Sequence, residues 1–552
     1  MPSSLPSPGE MAAWDRAAAA LGLPEAMLME NAAREALLAL ADEAGDLTGA
    51  SILLLMGGGN NGGDAACLAR HLLDAGARPV VMHTRPLARS RGAAGRHARL
   101  ARRCGVRFSP VPAGDAPDLF RILEREAPDI IVDGLLGTGF SGNLRPREER
   151  LVAALNAWRE KAFIFALDIP SGLNGLTGRP LPAAVRAHAT VAFEAAKPGL
   201  VLPEAAPWVG RLHVRRIGIP HCVREALPAS FRLLDAGMAA RFPRPSPLQH
   251  KGTAGRVLVI GGSIGPGGDL TGAARLAALA ALRAGAGLVS VAAPAGICAE
   301  IKAGCPDIMM RPLGPEGTRR WSPDLKDEIL GRLADCDVAV IGPGMGREEA
   351  TAALTRDVLA APGQRPPLVI DADALHALAR NPHAPTAADG SLAGLVRPAD
   401  TLTPHPGEAA FLLGRANAEV QADRFGALAD LRALAPAVWL LKGAGTLIAG
   451  GDGPVFIAPF AEPALAVGGS GDVLAGCLAA LLGQIRHEPD APRLAAGLAV
   501  LLHAGAGRLL GRRFPARGNT ATDIADALPE ARALFLSPSN PRSRLCCASL
   551  PD

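Results

Sequence analysis

The chain has 552 residues, too many for one hydrophobic core and suited to two or three domains. Hydrophobic residues make up 49% of it and glycines number 64, which excludes a disordered chain and suits packed α/β layers with many tight turns. A formal net charge of +4, with acids and bases spread along the whole chain, excludes the basic stripe of a nucleic-acid binder.

The segment Met1–Glu10 is Pro- and Ser-rich and has no basic region followed by an apolar core, so no signal peptide is expected. Nine cysteines, an odd number, are scattered without metal-ligand spacing, which predicts free thiols and a reducing compartment. No apolar run approaches the roughly 20 residues needed to span a bilayer. The expectation is a soluble, cytoplasmic protein with small-molecule substrates and no nucleic-acid or membrane partner. A homo-oligomer is the common default for such enzymes.

Along the first half, apolar runs of strand length fall at Ile52–Met56, Pro79–His83, Asp129–Asp133, Phe163–Ile169, Thr190–Phe193 and Leu212–Ile217. Helical stretches such as Asp64–Ala75 and Glu148–Trp158 lie between them. This alternation predicts a parallel sheet covered on both faces. Arg85 to Arg103 is arginine-rich and reads as a solvated helix face. Regularity lapses from His221 to Leu248, and Arg241–Pro247 carries three prolines, so the domain junction is expected there. A second series follows, with strands at Arg256–Ile260, Gly287–Ala292, Val338–Ile341, Leu368–Asp371, Thr401–Thr403, Val438–Leu441 and Val455–Ala458. The expected fold class is α/β in two domains, 1–222 and 229–530, each a mainly parallel sheet with helices on both faces, and 531–552 is expected to be a disordered tail.

Gly57-Gly-Gly-Asn-Asn-Gly-Gly-Asp64 lies between a buried strand and a helix. Gly57, Gly59 and Gly62 satisfy the dinucleotide pattern G-x-G-x-x-G, which also wants an acid about 20 positions on to hold the ribose. The second strand instead ends His83-Thr84-Arg85, which argues against hydride transfer. The glycines still let backbone approach a ligand, and amides at a helix start favour an anion. A purely structural turn is the competing reading, and Asn60, Asn61 and Asp64 weigh against it.

Two more strand ends converge on the same crevice in a parallel sheet: Asp133-Gly-Leu-Leu-Gly-Thr-Gly139 and Asp168-Ile-Pro-Ser-Gly172. Oxygens of Asn61, Asp133 and Ser171 suit a hard cation, and Asp168 suits a general base facing the ligand. These segments, with Thr190-Val-Ala-Phe193 and Lys197-Pro-Gly-Leu200, resemble the NAD(P)H-hydrate epimerase domain in family order. The resemblance implies a Rossmann-like fold. It also implies that Asn60, Asn61, Gly62, Gly63, Asp64, the loop Gly137, Thr138, Gly139, Phe140, Ser141, Gly142 and Asn143, and Asp168 contact a hydrated nucleotide. By the same resemblance Asn61, Asp133 and Ser171 hold potassium. Epimerisation at C6 of the nicotinamide hydrate needs proton transfer, for which Asp168 is the candidate. Ala65 stands where the family usually has glycine, and Arg216 where an aspartate commonly precedes Ile-Gly-Ile-Pro.

In the second half, Gly468-Gly-Ser-Gly-Asp-Val-Leu-Ala-Gly476 precedes an apolar helix expected at Val473–Leu482. Glycine amides there form an anion hole, and Asp472 can accept a proton from an attacking hydroxyl. Helix capping is the competing role for that aspartate. Lys442-Gly-Ala-Gly-Thr446 ends a buried strand but lacks the Walker order. Read on residues alone, this half is a nucleotide-using enzyme related to ribokinase-like kinases. Together with His250-Lys-Gly252, Gly261-Gly-Ser263, GPGMG, DADAL and TPHPGE, these motifs resemble the ADP-dependent NAD(P)H-hydrate dehydratase domain. The resemblance implies a ribokinase-like fold and a nucleotide held by Lys442, Gly443, Ala444, Gly445, Thr446 and Gly471. It places Ala273, Gly344, His405 and Asp472 on the hydrated substrate, with ADP as co-substrate accompanied by Mg²⁺. Val467 replaces the usual threonine and Ala464-Leu465 the usual Gly-Met. The alternatives are a small-molecule kinase with a non-catalytic nucleotide-binding N-terminal module, or an N-terminal half that binds without catalysis.

Overall fold

Seven runs of the first half pair as parallel strands: β1 (Ser51–Met56), β2 (Arg78–His83), β3 (Arg107–Pro110), β4 (Ile130–Gly134), β5 (Phe163–Leu167), β6 (Ala189–Phe193) and β7 (Arg211–Arg215), in the spatial order β3-β2-β1-β4-β5-β6-β7. β1 and β4 to β6 are buried along nearly their whole length, as continuous apolar runs on a two-sided sheet require. β3, which the periodicity did not reveal, is a short edge strand with no buried residue. The order reverses at β1, and that switch point opens a crevice at the strands' carboxyl ends. The computed structural model describes residues 3–111, 116–140, 142–248, 250–379 and 392–536.

Two helices before β1, Pro8–Ala20 and Glu25–Ala44, complete this unit. The first begins in a capping box, with Ser7 and Glu10 satisfying each other's backbone amides. The second is tied to helix Asn60–Asp74 by Glu30, which accepts from Arg70 at 2.5 and 2.7 Å. Cys67 and His71 stand beside Glu30, with ligand-type atoms within 4.8 Å of one another, a grouping that cysteine spacing did not anticipate. The guanidinium on both Glu30 oxygens makes it an ion-pair knot between helices.

The chain passes to its second unit between Arg232 and Leu233, inside the stretch from His221 to Leu248 where the regularity lapses and a few residues past the expected domain bounds of 222 and 229. Leu234, Met238 and Phe242 are buried in the second core, so Arg241–Pro247 is a surface turn of a domain already begun. The strands there are β8 (Phe231–Leu233), β9 (Arg256–Ile260), the hairpin β10 (Ile264–Gly265) and β11 (Gly268–Asp269), β12 (Leu288–Pro294), β13 (Met309–Leu313), β14 (Val338–Ile341), β15 (Leu368–Ile370), β16 (Thr401–Leu402), β17 (Val438–Leu441), β18 (Leu447–Ala449) and β19 (Val455–Ile457). The main sheet runs β13-β12-β9-β14-β15-β16-β17-β18-β19-β8, parallel from β13 to β17 and antiparallel over β17-β18-β19. Its switch point lies between β9 and β14.

Helix Ser470–Ile485 packs on helix Thr271–Arg283 with unusual closeness. A Cβ on Gly476 would lie 1.9 Å from the carbonyl oxygen of Ala277, so only glycine fits. Helix Ala491–Arg513 is long and apolar enough to cross a membrane by length and composition, although His503 and Arg508 interrupt its apolar run. Its apolar window is 78% buried, as in a core helix. Helix Ala521–Leu536 passes the expected start of the tail at 531, because Ala531 is buried and Phe535 stacks on Phe242 at 5.4 Å. The remainder of the expected tail, 537–552 with Cys546-Cys547, lies outside the described residues.

Candidate active sites

The carboxyl ends of β1, β4 and β5 face a cavity of about 990 Å³. Its wall combines Asn60, Asn61 and Asp64 from the first turns of helix Asn60–Asp74, the loop residues Gly137, Thr138, Gly139, Phe140 and Asn143, and Asp168 from the end of β5. Gly62 and Gly63, expected at the ligand, are not part of that wall, and their Cα positions face the packing. A Cβ on Gly62 would lie 2.2 Å from the Gly57 carbonyl oxygen, and one on Gly63 2.7 Å from Ala94 and Met29. Gly142, at φ +80°, turns the loop and is not part of the wall, and Ser141 lies outside the described residues.

Asp168 adopts φ +62°, a conformation that costs a non-glycine residue on the order of 1–3 kcal/mol and recurs at functional sites. The ammonium of Lys197, a fully buried side chain, holds its Oδ1 and also donates to the Phe193 carbonyl oxygen at 3.2 Å. The Thr138 amide donates to Oδ2 at 3.3 Å. The carboxylate is thus clamped from two sides and aimed at the cavity. Four further acids line the same wall, Asp15, Glu25, Asp64 and Glu148. Burial, reinforced by the charge of Asp168, pushes Asp15 up to about 6 and raises Asp64 well above the usual carboxylate range. Lys197 was legible only as a motif letter, and Asp15 sits on a helix that the strand pattern did not reveal.

Asn61, Asp133 and Ser171 do come together. Ser171 donates from Oγ to Asp133 Oδ1 at 2.6 Å and from its amide to Oδ2 at 2.8 Å. Asn61 Nδ2 donates to the Leu136 carbonyl oxygen at 2.8 Å, which fixes the amide's orientation. Asn61 Oδ1 is left buried with no hydrogen-bond partner. Burial raises the carboxyl of Asp133, which accepts only from neutral donors.

In the second unit the loops after β14, β15, β16 and β17 meet. Lys442 Nζ bonds Asp371 Oδ1 at 2.8 Å and lies 3.8 Å from Glu408 Oε2. Gly471 belongs to the same cluster, since a Cβ there would lie 3.4 Å from Lys442 Nζ and 3.9 Å from Asp371 Oδ2. Asp472, one residue on, is pushed up to about 7 by burial and by the neighbouring Asp371, with Lys442 opposing. Glu408 is pushed up to about 7 by burial, against the pull of Lys442. Ala372, between Asp371 and Asp373, has φ +50°, another strained non-glycine residue at a strand end.

The loop Lys442–Thr446 is braced by Arg424, whose guanidinium donates to the carbonyl oxygens of Leu441, Lys442 and Ala444. Within it the Gly445 amide is already spent on Phe460 at 3.0 Å, and Thr446 Oγ1 donates to the Gly443 carbonyl oxygen at 2.8 Å. A Cβ on Gly344 would lie 3.1 Å from Ala273 Cβ, so those two expected substrate contacts are neighbours. His405 caps helix Pro406–Leu413, its Nδ1 accepting from the Gly407 amide at 2.9 Å and its Nε2 lying 3.5 Å from Glu408 Oε1, with the ring half exposed. Asp371 and Glu408, quoted only as motif members, are the acids that hold Lys442.

Fold and sites define a two-domain α/β enzyme with a separate lysine–aspartate cluster at the strand ends of each half. Residues 25–199 match the family described as YjeF-related protein N-terminus, and residues 257–530 the family described as NAD(P)H-hydrate dehydratase. The chain is 38% identical to a bifunctional NAD(P)H-hydrate repair enzyme of Moorella thermoacetica, covering 94% of this chain and 95% of that one. It is 35% identical to a counterpart from Coxiella burnetii over 94% of this chain and 97% of that one. An ADP/ATP-dependent NAD(P)H-hydrate dehydratase from Bacillus subtilis, co-crystallised with ATP/Mg²⁺, is similar at 28% identity and a TM-score of 0.42, over 54% of this chain and 96% of that one. This chain belongs to the bifunctional NAD(P)H-hydrate repair enzyme family.

Proposed function

We propose that the N-terminal half interconverts the R and S hydrates of NADH and NADPH at C6, and that the C-terminal half dehydrates the S hydrate with ADP, giving AMP and phosphate. The observation that carries this reading is the pairing of a lysine with an aspartate at strand ends in both halves, Lys197 with Asp168 and Lys442 with Asp371. The kinase alternative is not favoured, since relatives matching nearly the whole chain bear the name of the repair enzyme.

In the first half Asp168 takes the proton of the hydrate's C6 hydroxyl as the C6–N1 bond opens to an aldehyde and N1 gains a proton, and the reverse closure on the other face of the carbonyl gives the opposite configuration, while Lys197 keeps the carboxylate placed. Asn60, Asn61, Asp64 and the loop through Asn143 hold the nucleotide. Potassium fits Asn61, Asp133 and Ser171, because the donor set is oxygen-only and Asn61 Oδ1 lacks any partner. Bound there, the ion would supply fixed positive charge. In the second half Asp472 accepts the hydroxyl proton as the oxygen takes a phosphoryl group from ADP. The C6–O bond then breaks, phosphate leaves, and a proton lost from the adjacent ring carbon restores the dihydronicotinamide. Lys442, the loop through Thr446 and Gly471 hold the nucleotide, with Ala273, Gly344 and His405 beside the hydrate. Mg²⁺ accompanying the phosphates finds carboxylate oxygens of the right kind in Asp371 and Asp373.

A mixture of R and S hydrates given to the purified protein with ADP tests both halves at once. Complete conversion to NADH supports the proposal, and loss of the S form alone makes the N-terminal half inert.

A further inference from the structure

The strand order of the first sheet puts the two ends of a dinucleotide on opposite sides of β1. Asp168, at the end of β5, lies on the β4 side, and the end of β2 lies on the other. In a sheet of this order the pyrophosphate rests on the glycine loop after the first strand, and the adenosine ribose falls beside the end of the second. An acid there bonds the ribose 2′-hydroxyl, whereas an arginine accommodates a 2′-phosphate.

The residue in that place is Arg85. It lines the same cavity as Asp168, although the residues from Arg85 to Arg103 read in sequence as one solvated face. Its side chain lies along the glycine loop, because a Cβ on Gly58 would come within 2.6 Å of Arg85 Cδ. Among the described residues no carboxylate pairs with it. Two of the acids in the cavity wall are otherwise engaged. Glu25 accepts from Asn60 Nδ2 at 2.6 Å, and Glu148 from the Arg145 amide at 3.0 Å. Arg147 spends its guanidinium on the carbonyl oxygens of Thr84 and Val111, at 3.2 and 3.0 Å, which steadies the backbone beneath Arg85.

We infer that Arg85 is a specificity-determining residue that binds the 2′-phosphate and makes the N-terminal site favour the hydrate of NADPH over that of NADH. The inference rests on the epimerase reading and deepens it. A charge-assisted bond from a guanidinium to phosphate is lost in Arg85→Gln, while the stem that covers Gly58 is largely kept.

The test is R-to-S interconversion by the full chain without ADP, which silences the second site, measured separately for the NADPH and NADH hydrates. In wild type, kcat/KM is expected to be higher for the NADPH hydrate. In Arg85→Gln it should fall about 10- to 100-fold for that substrate and change little for the NADH hydrate, with Arg85→Lys between. An unchanged preference ratio in Arg85→Gln overturns the inference. So does an equal fall for both hydrates, which would make Arg85 a support of the loop. A wild type that interconverts neither hydrate removes the epimerase reading itself, and the inference with it.

Discussion

Lys197 closes on Asp168 from inside the protein, its ammonium reaching one carboxylate oxygen while the Thr138 amide holds the other. The pair joins the end of β5 to the segment after β6, so the geometry of the proposed base depends on two strand ends at once. Removing either partner should therefore stop the first reaction and spare the second. Asp168→Asn is expected to block clearance of the R hydrate while the S hydrate is still consumed with ADP. Lys197→Met should lower R clearance by about 10²- to 10⁴-fold, the usual worth of a placed acid or base. Unchanged R clearance in Asp168→Asn would exclude it as the proton carrier.

Potassium should act on this same half. Asn61 Oδ1 has no donor, and its amide is held the other way round by Leu136. Exchanging potassium for tetramethylammonium, which is too large for an oxygen cage, should lower both epimerisation and the melting temperature of the first unit. Asn61→Leu should erase that dependence, because it removes the orphan oxygen along with the ligand. A melting temperature that ignores the cation would argue against the site.

The strands most legible in sequence were those with unbroken apolar runs, such as β1, β9, β14 and β17. β3 and β13 escaped because edge strands carry exposed and polar residues, and the hairpin of β10 and β11 because two-residue strands have no period. The glycine loops were legible because backbone approach demands glycine. Their partners were not. Lys197 stands 29 residues from Asp168, and Lys442 stands 71 from Asp371, so only the folded sheet reveals either pair. Gly62 and Gly63 share one motif with Asn60, yet helix geometry turns them from the cavity into the packing.

Asp64 offers a trade between stability and function. It is buried, and the burial together with Asp168 raises its carboxyl well above the usual range. The folded state therefore binds a proton more tightly than the unfolded state. Stability falls as pH rises from the unfolded value of 3.8 toward the raised folded one. Asp64→Asn removes this liability and should raise the melting temperature at neutral pH while impairing epimerisation. The gain should shrink as pH is lowered toward and below 3.8, where the wild-type carboxyl becomes protonated in both states. Thermal unfolding across that range checks the sign, and a variant less stable at pH 7 than at pH 4 relative to wild type would contradict it.

Asp472 gives the second reaction its own pH signature. Burial and Asp371 push its carboxyl up to about 7, so near neutrality only part of the population carries the ionised base. A base is active when deprotonated, so dehydration of the S hydrate should rise with pH up to about 7 and level above it. Glu408 is also pushed up to about 7 and could mimic this limb. The two are separable, because Glu408 lies beside Lys442 and accepts from the His405 amide at 2.8 Å, a bond made within its own helix cap. Glu408→Gln should therefore keep the limb and lose some nucleotide affinity. Asp472→Asn should abolish it, with activity down by about 10²- to 10⁴-fold and epimerisation intact. Recovery of NADH absorbance from purified S hydrate and ADP, measured on both sides of pH 7, decides the matter. A limb that survives in Asp472→Asn and disappears in Glu408→Gln would move the base from the glycine-rich helix start to the turn after β16.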